Sequence, residues 1–413
     1  MGKHTYRSKK VNEIDWDQLR GKWAGQSLVF AVDVAKETQY ALLANQGQTE
    51  SVLLRWDHLG ESVALIGELS RFGTAVDVVM ESSGTYGDSL RHLCRQAGFA
   101  VHLASAKRVH DAQEVFDGVP SLHDPKSACL IAKLHAEGLT KPWPELGDRE
   151  REMNALRREH EMHQSQYERC QNRLEAGLSR HWPEVLQLLE LDSVALEQLL
   201  KAHGSPAQVA ADADGAAGEM RRTGGHFLEE GKILAVIASA GATLGEPCTG
   251  AERRYLAALA CELEHSRLHM RGARRALESM VAADGKLAEM ARTVGCLTTA
   301  VLLSLHLDPR HFANPRAFQK ALGLNLKEKS SGKHKGQLKL TKRGSSMARK
   351  YLYFAALRLI RRDPVVARWY AGKMDPKAKL KAVTAFVRKL ALGLWHVARG
   401  DKFDASRLLS VGA

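Results

Sequence analysis

The residues of this chain whose types could do chemistry are three acids, Asp33, Glu81 and Asp124, and two adjacent serines, Ser330 and Ser331. Asp33 ends the apolar run SLVFAVD, Glu81 ends AVDVVME, and Asp124 opens DPKSACLIAKL. Carboxylate oxygens are hard ligands, and several brought to one point hold magnesium. Two such ions stabilise the attacking and leaving oxygens of a phosphodiester exchange. The serines lie in LNLKEKSSGKHKGQLKL, among Lys327, Lys329, Lys333, His334, Lys335 and Lys339. A serine hydroxyl is a weak nucleophile until a base, a metal or a local field stabilises its alkoxide. The surrounding cations could hold a scissile phosphate and offset charge on a pentacovalent transition state. Each feature also has a plain reading. Asp33 can end a strand, Glu81 can sit by a turn, Asp124 can cap a helix ahead of Pro125, and the serines can belong to a turn in a solvated basic loop. The residues alone do not choose between the two serines.

Convergence of the acids depends on the elements that carry them. SLVFAVDVA, TQYALLANQ and ESVLLRW are β-prone runs with a break at Asn45-Gln46-Gly47, which predicts an antiparallel meander. Then follow an amphipathic helix near 62–72, the strand AVDVVME, a helix over 87–96, the strand FAVHLA, and helices near 107–116 and 124–137. The order βββαβαβα predicts an α/β domain over residues 26–143, a ribonuclease-H-like mixed sheet with helices on both sides, preceded by an extension over 1–25. In such a sheet the three acid positions converge.

Lys141-Pro142-Trp143-Pro144 reads as a linker, and residues 144–292 as long paired helices with an inserted helical region. A charged segment to about 179 carries a sparse seam at Met153, Leu156, Tyr167 and Leu174. A second long helix is expected over about 252–290, with Leu256, Leu259, Leu263, Met270, Leu277, Met280 and Leu287 spaced by threes, fours and sevens. Two such coiled-coil helices should pair with each other or across a dimer. His160 and His163 lie three apart on the first but have no acid or thiolate at metal spacing, so they read as structural. The Ala/Gly-rich stretch between the long helices carries no recognisable chemistry. From 293 to 413 the pattern is all-α, with the serine loop held between PRAFQKALGL and SSMARKYLYFAALRLIRR, and Gly344 and Ser345 supplying a turn and an N-cap.

With 413 residues, 44% of them hydrophobic, the chain can bury more than one core. No apolar run approaches the length that crosses a bilayer, and MGKHTYRSKK lacks a signal-peptide core, so a cytoplasmic protein without a membrane partner is expected. Six scattered cysteines form neither a CxxC pair nor a Cys/His cluster, so neither a disulfide framework nor a zinc site is indicated. The net charge of +13 is unevenly placed. Residues 301–413 hold 25 Lys+Arg against 6 Asp+Glu, leaving 35 and 41 for the first 300, so the C-terminal part is +19 and the rest −6. That charge is interleaved with Tyr351, Tyr353, Phe354, Trp369, Tyr370 and Phe386, which favours nucleic acid as the partner. Lys342, Arg343 and Arg349, around the start of the helix after the serine loop, are candidate phosphate contacts alongside Lys333, Lys335 and Lys339.

VFAVDVAKETQYALL, VVMESSGTYGDSLRHLCRQAGFAVHLASAKRV, HDPKSACLIAKL and the block from VGCLTTA through ALGLNLKEKSSGKHKGQLKLTKRGSSMARKYLYFAA together resemble the DEDD transposases of insertion-sequence family 110 and the related Piv-type invertases. The resemblance implies a RuvC-like domain with four acids, a coiled coil, and a C-terminal transposase domain bearing a serine nucleophile. It places the first three acids on Asp33, Glu81 and Asp124. Where the family reads D-x-x-D-A, this chain has DPKSA, so Ser127 stands in the fourth place, with Asp111 and Asp117 as candidate substitutes. Ser127 lies one helical turn from Asp124 and could reach the same ion, though a hydroxyl is a far weaker ligand than a carboxylate. The family motif G-L-x-P-x-x-x-x-S-G fits Gly323, Leu324, Ser331 and Gly332, with Leu326 in place of proline, and so selects Ser331. The resemblance further implies a covalent 5′-phosphoserine link to DNA, magnesium at the acids, a composite site shared between subunits of a homodimer or dimer of dimers, and a structured guide RNA encoded by the mobile element. Two other readings remain open: a RuvC-like hydrolytic nuclease in which Ser331 is a loop residue, and a nucleic-acid-binding relative impaired by Ser127.

Overall fold

Short runs rich in Val, Leu and Ala make the strands of one mixed sheet. The computed structural model describes residues 6–82, 84–116, 118–121, 123–328, 338–375 and 378–410, and the chain divides into two units, residues 1–145 and 146–413. Among the described residues of the first unit the strands are β1 (Lys9–Lys10), β2 (Leu28–Asp33), β3 (Thr38–Asn45), β4 (Ser51–Asp57), β5 (Val76–Glu81), β6 (Ala100–Ala104) and β7 (Lys141–Pro142). Their order in the sheet is β1-β4-β3-β2-β5-β6-β7. β2, β3 and β4 form the expected antiparallel meander, and β5 and β6 extend the sheet in parallel from β2.

Helices α1 (Trp16–Lys22), α2 (Ser62–Ser70), α3 (Asp88–Gln96), α4 (Ala106–Asp111) and α5 (Asp124–Ala136) complete this unit. Strand side chains alternate between faces, as the pleat requires. Phe30, Val32, Val78 and Met80 meet Leu65 and Leu69 of α2 and Leu90 and Cys94 of α3, while Ala31, Val79 and Ala104 meet Ala128 and Ile131 of α5. A largely apolar sheet covered on both faces is consistent with a ribonuclease-H-like domain.

The edges differ from the expectation. Lys141–Pro142, read as a linker, pairs with β6, where an edge position tolerates proline, and Trp143 N donates to Val101 O at 2.8 Å. The segment before residue 26 is also tied in. β1 pairs with β4, and Trp23, 1% exposed, enters the core while its Nε1 donates to Glu50 at 2.8 Å. The helix expected near 107–116 is the shorter α4.

In the second unit α6 (Asp148–His181) is followed by α7 (Val185–Leu188), α8 (Val194–His203), α9 (Pro206–Ala211), α10 (Ala213–Gly224), α11 (Glu230–Gly241) and α12 (Gly250–Ala282). The two long helices lie antiparallel against each other. Gly177 leaves the space that Leu256 fills, since a Cβ there would come within 2.7 Å of Leu256 Cδ2, and at the other end Arg149 donates to Met280 O at 2.8 Å. The second long helix stops at Ala282, short of the expected 290, because Asp284 accepts from Lys286 N at 3.1 Å and starts a 3-10 turn at Gly285. One end of the pair packs with α7 to α11 around Trp182, and a buried Arg267–Glu197 ion pair of 2.6 Å ties α12 to α8.

The other end of the pair packs against a helical cluster of α13 (Ala288–Val294), α14 (Cys296–Ser304), α15 (Pro315–Ala321), α16 (Ser346–Arg362), α17 (Pro364–Lys373), α18 (Lys379–Val397) and α19 (Ala405–Ser410), around Phe318, Phe386, Leu390 and Leu394. No single helix among the described residues is long and apolar enough to cross a membrane.

Ile131 is fully buried where α5 meets the sheet. Ile131→Ala is expected to destabilise the first unit by about 2–5 kcal/mol, the usual cost of removing a buried aliphatic side chain. Urea unfolding followed by tryptophan fluorescence measures it.

Candidate active site

Parallel pairing of β2 with β5 sets Val32 beside Met80, so the next residue on each strand, Asp33 and Glu81, stand side by side at the carboxyl ends. In open α/β sheets ligands gather at that end of the strands. α5 begins there, with Asp124 as its first residue and Ser127 one turn further on the same face. The capping role anticipated for Asp124 falls to its neighbour: His123 Nδ1 accepts from Lys126 N at 3.3 Å, and Pro125 occupies an early helical position suited to its fixed φ.

The electrostatics record how closely these groups sit. Burial, and then the charges of Asp124 and Glu81, push the Asp33 carboxyl up to about 7, against the pull of a hydrogen bond with the Ser127 hydroxyl. Burial also raises Glu81. Carboxylates that cannot all ionise comfortably together become good cation ligands, because a divalent ion removes the repulsion that holds a proton on one of them. Ser127, 6% exposed, thus borders the acids as a hydrogen-bonding partner of Asp33. Asp111 is engaged elsewhere, its oxygens 2.6 and 2.9 Å from Lys107 Nζ. Asp117 lies outside the described residues.

The serine loop belongs to the second unit. β8 (Leu326–Lys327) and β9 (Lys339–Leu340) pair antiparallel and form the stem of the loop. Ser331, Lys333 and Lys335 fall outside the described residues. The base of the stem is crowded with backbone. Lys342 N donates to Gly323 O at 3.1 Å, Thr341 N to Asn325 O at 2.9 Å, and Thr341 Oγ1 to Asn325 Oδ1 at 2.6 Å. Gly323 has a φ of +69°, and a Cβ on Gly344 would fall 2.3 Å from Ala321 O, so both positions need glycine. Ser345 caps α16 as expected, its Oγ accepting from Ala348 N at 3.2 Å.

The cations around this stem differ in what they do. Lys339, Lys342 and Arg343 are exposed, the last two just ahead of the α16 N-terminus. Arg349 turns Nη1 to Leu322 O at 3.1 Å and Gly344 O at 3.0 Å, so this part of its guanidinium holds the turn. Arg388 on α18 supports the same stem, donating from Nε to Leu324 O at 2.8 Å. Sequence reading missed Arg388 because the two partners are 64 residues apart and no local pattern joins them.

Asp33 gives the first unit a pH dependence of definite sign. Its carboxyl sits above the ordinary 3.8 in the folded chain, so its stabilising share is complete below about pH 4 and lost as pH rises to about 7. In chelator-treated protein Asp33→Asn is expected to flatten the fall in melting temperature across that window, measured by thermal unfolding at a series of pH values.

Two family models match the chain. One, describing a DEDD transposase of the IS110 group, matches residues 30–183 and contains Asp33, Glu81, Asp124 and Ser127. The other, described as transposase IS116/IS110/IS902 family, matches residues 286–371 and contains the serine loop and the cations beside it. No curated protein matches the chain at a significant level. The two matches together cover more than half of the 413 residues in the order the motifs predict, and the chain belongs to the IS110 family of DEDD transposases.

Proposed function

We propose that the chain is a DNA transposase that excises and inserts a mobile element by serine-mediated strand exchange. The observation that carries this reading is the convergence of Asp33, Glu81 and Asp124, where burial together with the charges of Asp124 and Glu81 raises the Asp33 carboxyl to about 7. The family match at both the acids and the serine loop supports it. In the proposed reaction Ser331 Oγ bonds to phosphorus as the bond to the departing 3′ oxygen breaks, leaving a 5′-phosphoserine link and a 3′ hydroxyl. Attack by a 3′ hydroxyl of the exchanged strand reverses the step and releases the serine, so bond energy is conserved. Lys333, Lys335, Lys339, Lys342 and Arg343 are assigned to phosphate oxygens, and Arg349 to shaping the turn that presents them.

Asp33, Glu81 and Asp124, with Ser127 beside them, fit magnesium by donor type. Bound there, the ion would supply Lewis-acid stabilisation of phosphoryl charge. The +19 charge of residues 301–413 fits DNA and a structured guide RNA bound together, and a homodimer or dimer of dimers would bring paired DNA ends into one complex.

The test is recombination of paired sites by purified protein with the flanking element RNA and magnesium, read together with SDS-resistant protein–DNA adducts. Ser331→Ala is expected to abolish both adduct and recombination, and Asp33→Ala to abolish recombination. Wild-type recombination by Ser331→Ala would sink the mechanism. The self-contained acid cluster favours one second reading, a hydrolytic RuvC-like nuclease, which predicts cleavage that survives Ser331→Ala without adduct. Ser127→Asp adds a fourth carboxylate at the cluster and is expected to tighten magnesium binding several-fold, measured by titration calorimetry. Recovery of activity only in Ser127→Asp would identify an impaired relative.

A further inference from the structure

The same helix that brings Asp124 to the acids ends, eleven residues on, in a different polar cluster. His135, near the C-terminal end of α5, meets Asp77 of β5 and His102 of β6, all three partly buried. Asp77 lies four residues before Glu81, about 13 Å away at the rise of a parallel strand, so this cluster stands apart from the acids. His102 Nε2 is 3.3 Å from Asp77 Oδ1, His135 Nε2 is 3.5 Å from Asp77 Oδ2, and the imidazole centroids are 4.8 Å apart.

These spacings are long for charge-assisted hydrogen bonds, which close to about 2.7–2.9 Å. The His102–Asp77 distance matches the roughly 3.3–3.4 Å edge of a donor tetrahedron around zinc, whose bonds to nitrogen and oxygen are about 2.0–2.1 Å, and one ligand atom from each of the three residues lies within 4.8 Å of the others.

The surroundings are arranged as a metal site needs. His135 Nδ1 lies 2.8 Å from Thr140 Oγ1, and the tautomer that donates there turns the Nε2 lone pair toward Asp77. Thr140 is itself fixed from both sides. Gly138, at φ +67°, closes α5 with bonds from Gly138 N to His135 O and from Leu139 N to Leu134 O, each 2.9 Å. Immediately after Thr140, β7 pairs with β6 and sets Pro142 opposite His102.

We propose that Asp77, His102 and His135 form a zinc-binding site, with three protein ligands and a fourth position for water, that clamps the C-terminal end of α5 to β5 and β6. Two imidazoles favour a borderline cation such as zinc over magnesium, which prefers an all-oxygen shell. A second group, Glu159, His163 and His269 on the α6–α12 pair, fits less well. Its one ion-pair distance is 3.8 Å, and the His163 and His269 rings stack at an interplanar angle of 20°, presenting faces to each other instead of lone pairs.

The test is equilibrium dialysis of the chelator-treated full chain against zinc chloride in excess magnesium, with bound zinc measured by atomic emission. The expected result is one zinc per chain, lost in His102→Ala and in His135→Ala, retained in His163→Ala, and accompanied by a zinc-dependent rise in melting temperature. Thr140→Val keeps every ligand and is expected to weaken binding about 10–100-fold, which separates loss of the site from failure to fold. No zinc uptake, uptake unchanged in the His102 and His135 variants, or uptake lost in His163→Ala would overturn the proposal. Recombination is not part of this readout, so it stands or falls apart from the proposed function.

Discussion

Everything in the first unit turns on how α5 lies against the sheet. Ala128 and Ile131 bury against Ala31, Val79 and Ala104, and this contact holds the N-terminus of the helix at the carboxyl ends of β2 and β5. The consequence is electrostatically unfavourable, because the charges of Asp124 and Glu81 add to burial in raising the Asp33 carboxyl. Apolar packing and the sheet register therefore enforce a crowding that the charged groups alone would relax by moving apart. Carboxyl groups perturbed in this way cluster at functional sites, and here the crowding is maintained by the apolar contacts of Ala128 and Ile131.

Ser127 modifies that balance. A fourth carboxylate at this position would add another charge to a group already disinclined to ionise fully. The hydroxyl instead hydrogen-bonds Asp33 and lowers its proton affinity somewhat. Three carboxylates with a hydroxyl beside them repel one another less than four would.

The second unit solves a different problem, presenting a basic loop on a firm base. The antiparallel α6–α12 pair joins two helical clusters, and the C-terminal cluster grips both ends of the loop stem through backbone hydrogen bonds and through Arg349 and Arg388. Gly323 and Gly344 let the chain approach itself closely enough for those bonds to form. Two arginines are thereby drawn into architecture, while Lys339, Lys342 and Arg343 keep their side chains at the surface.

The sequence by itself determined the strand and helix order from β2 to α5, because the apolar runs and helical periodicities there are strong, and it singled out Asp33, Glu81 and Asp124 through their places at element ends. It also marked Ser345 as a cap and foresaw both long helices. Local pattern was blind to contacts set by distant residues. The pairing of Lys141–Pro142 with β6, the capture of Arg349 by two carbonyls and the bracing by Arg388 depend on chain segments that meet only once folded. Asp77, His102 and His135 show the same limit most clearly. They come from two strands and a helix, with spacings of 25 and 33 residues in the chain, so no motif unites them. Only the sheet register and the packing of α5 bring their ligand atoms within 4.8 Å of one another.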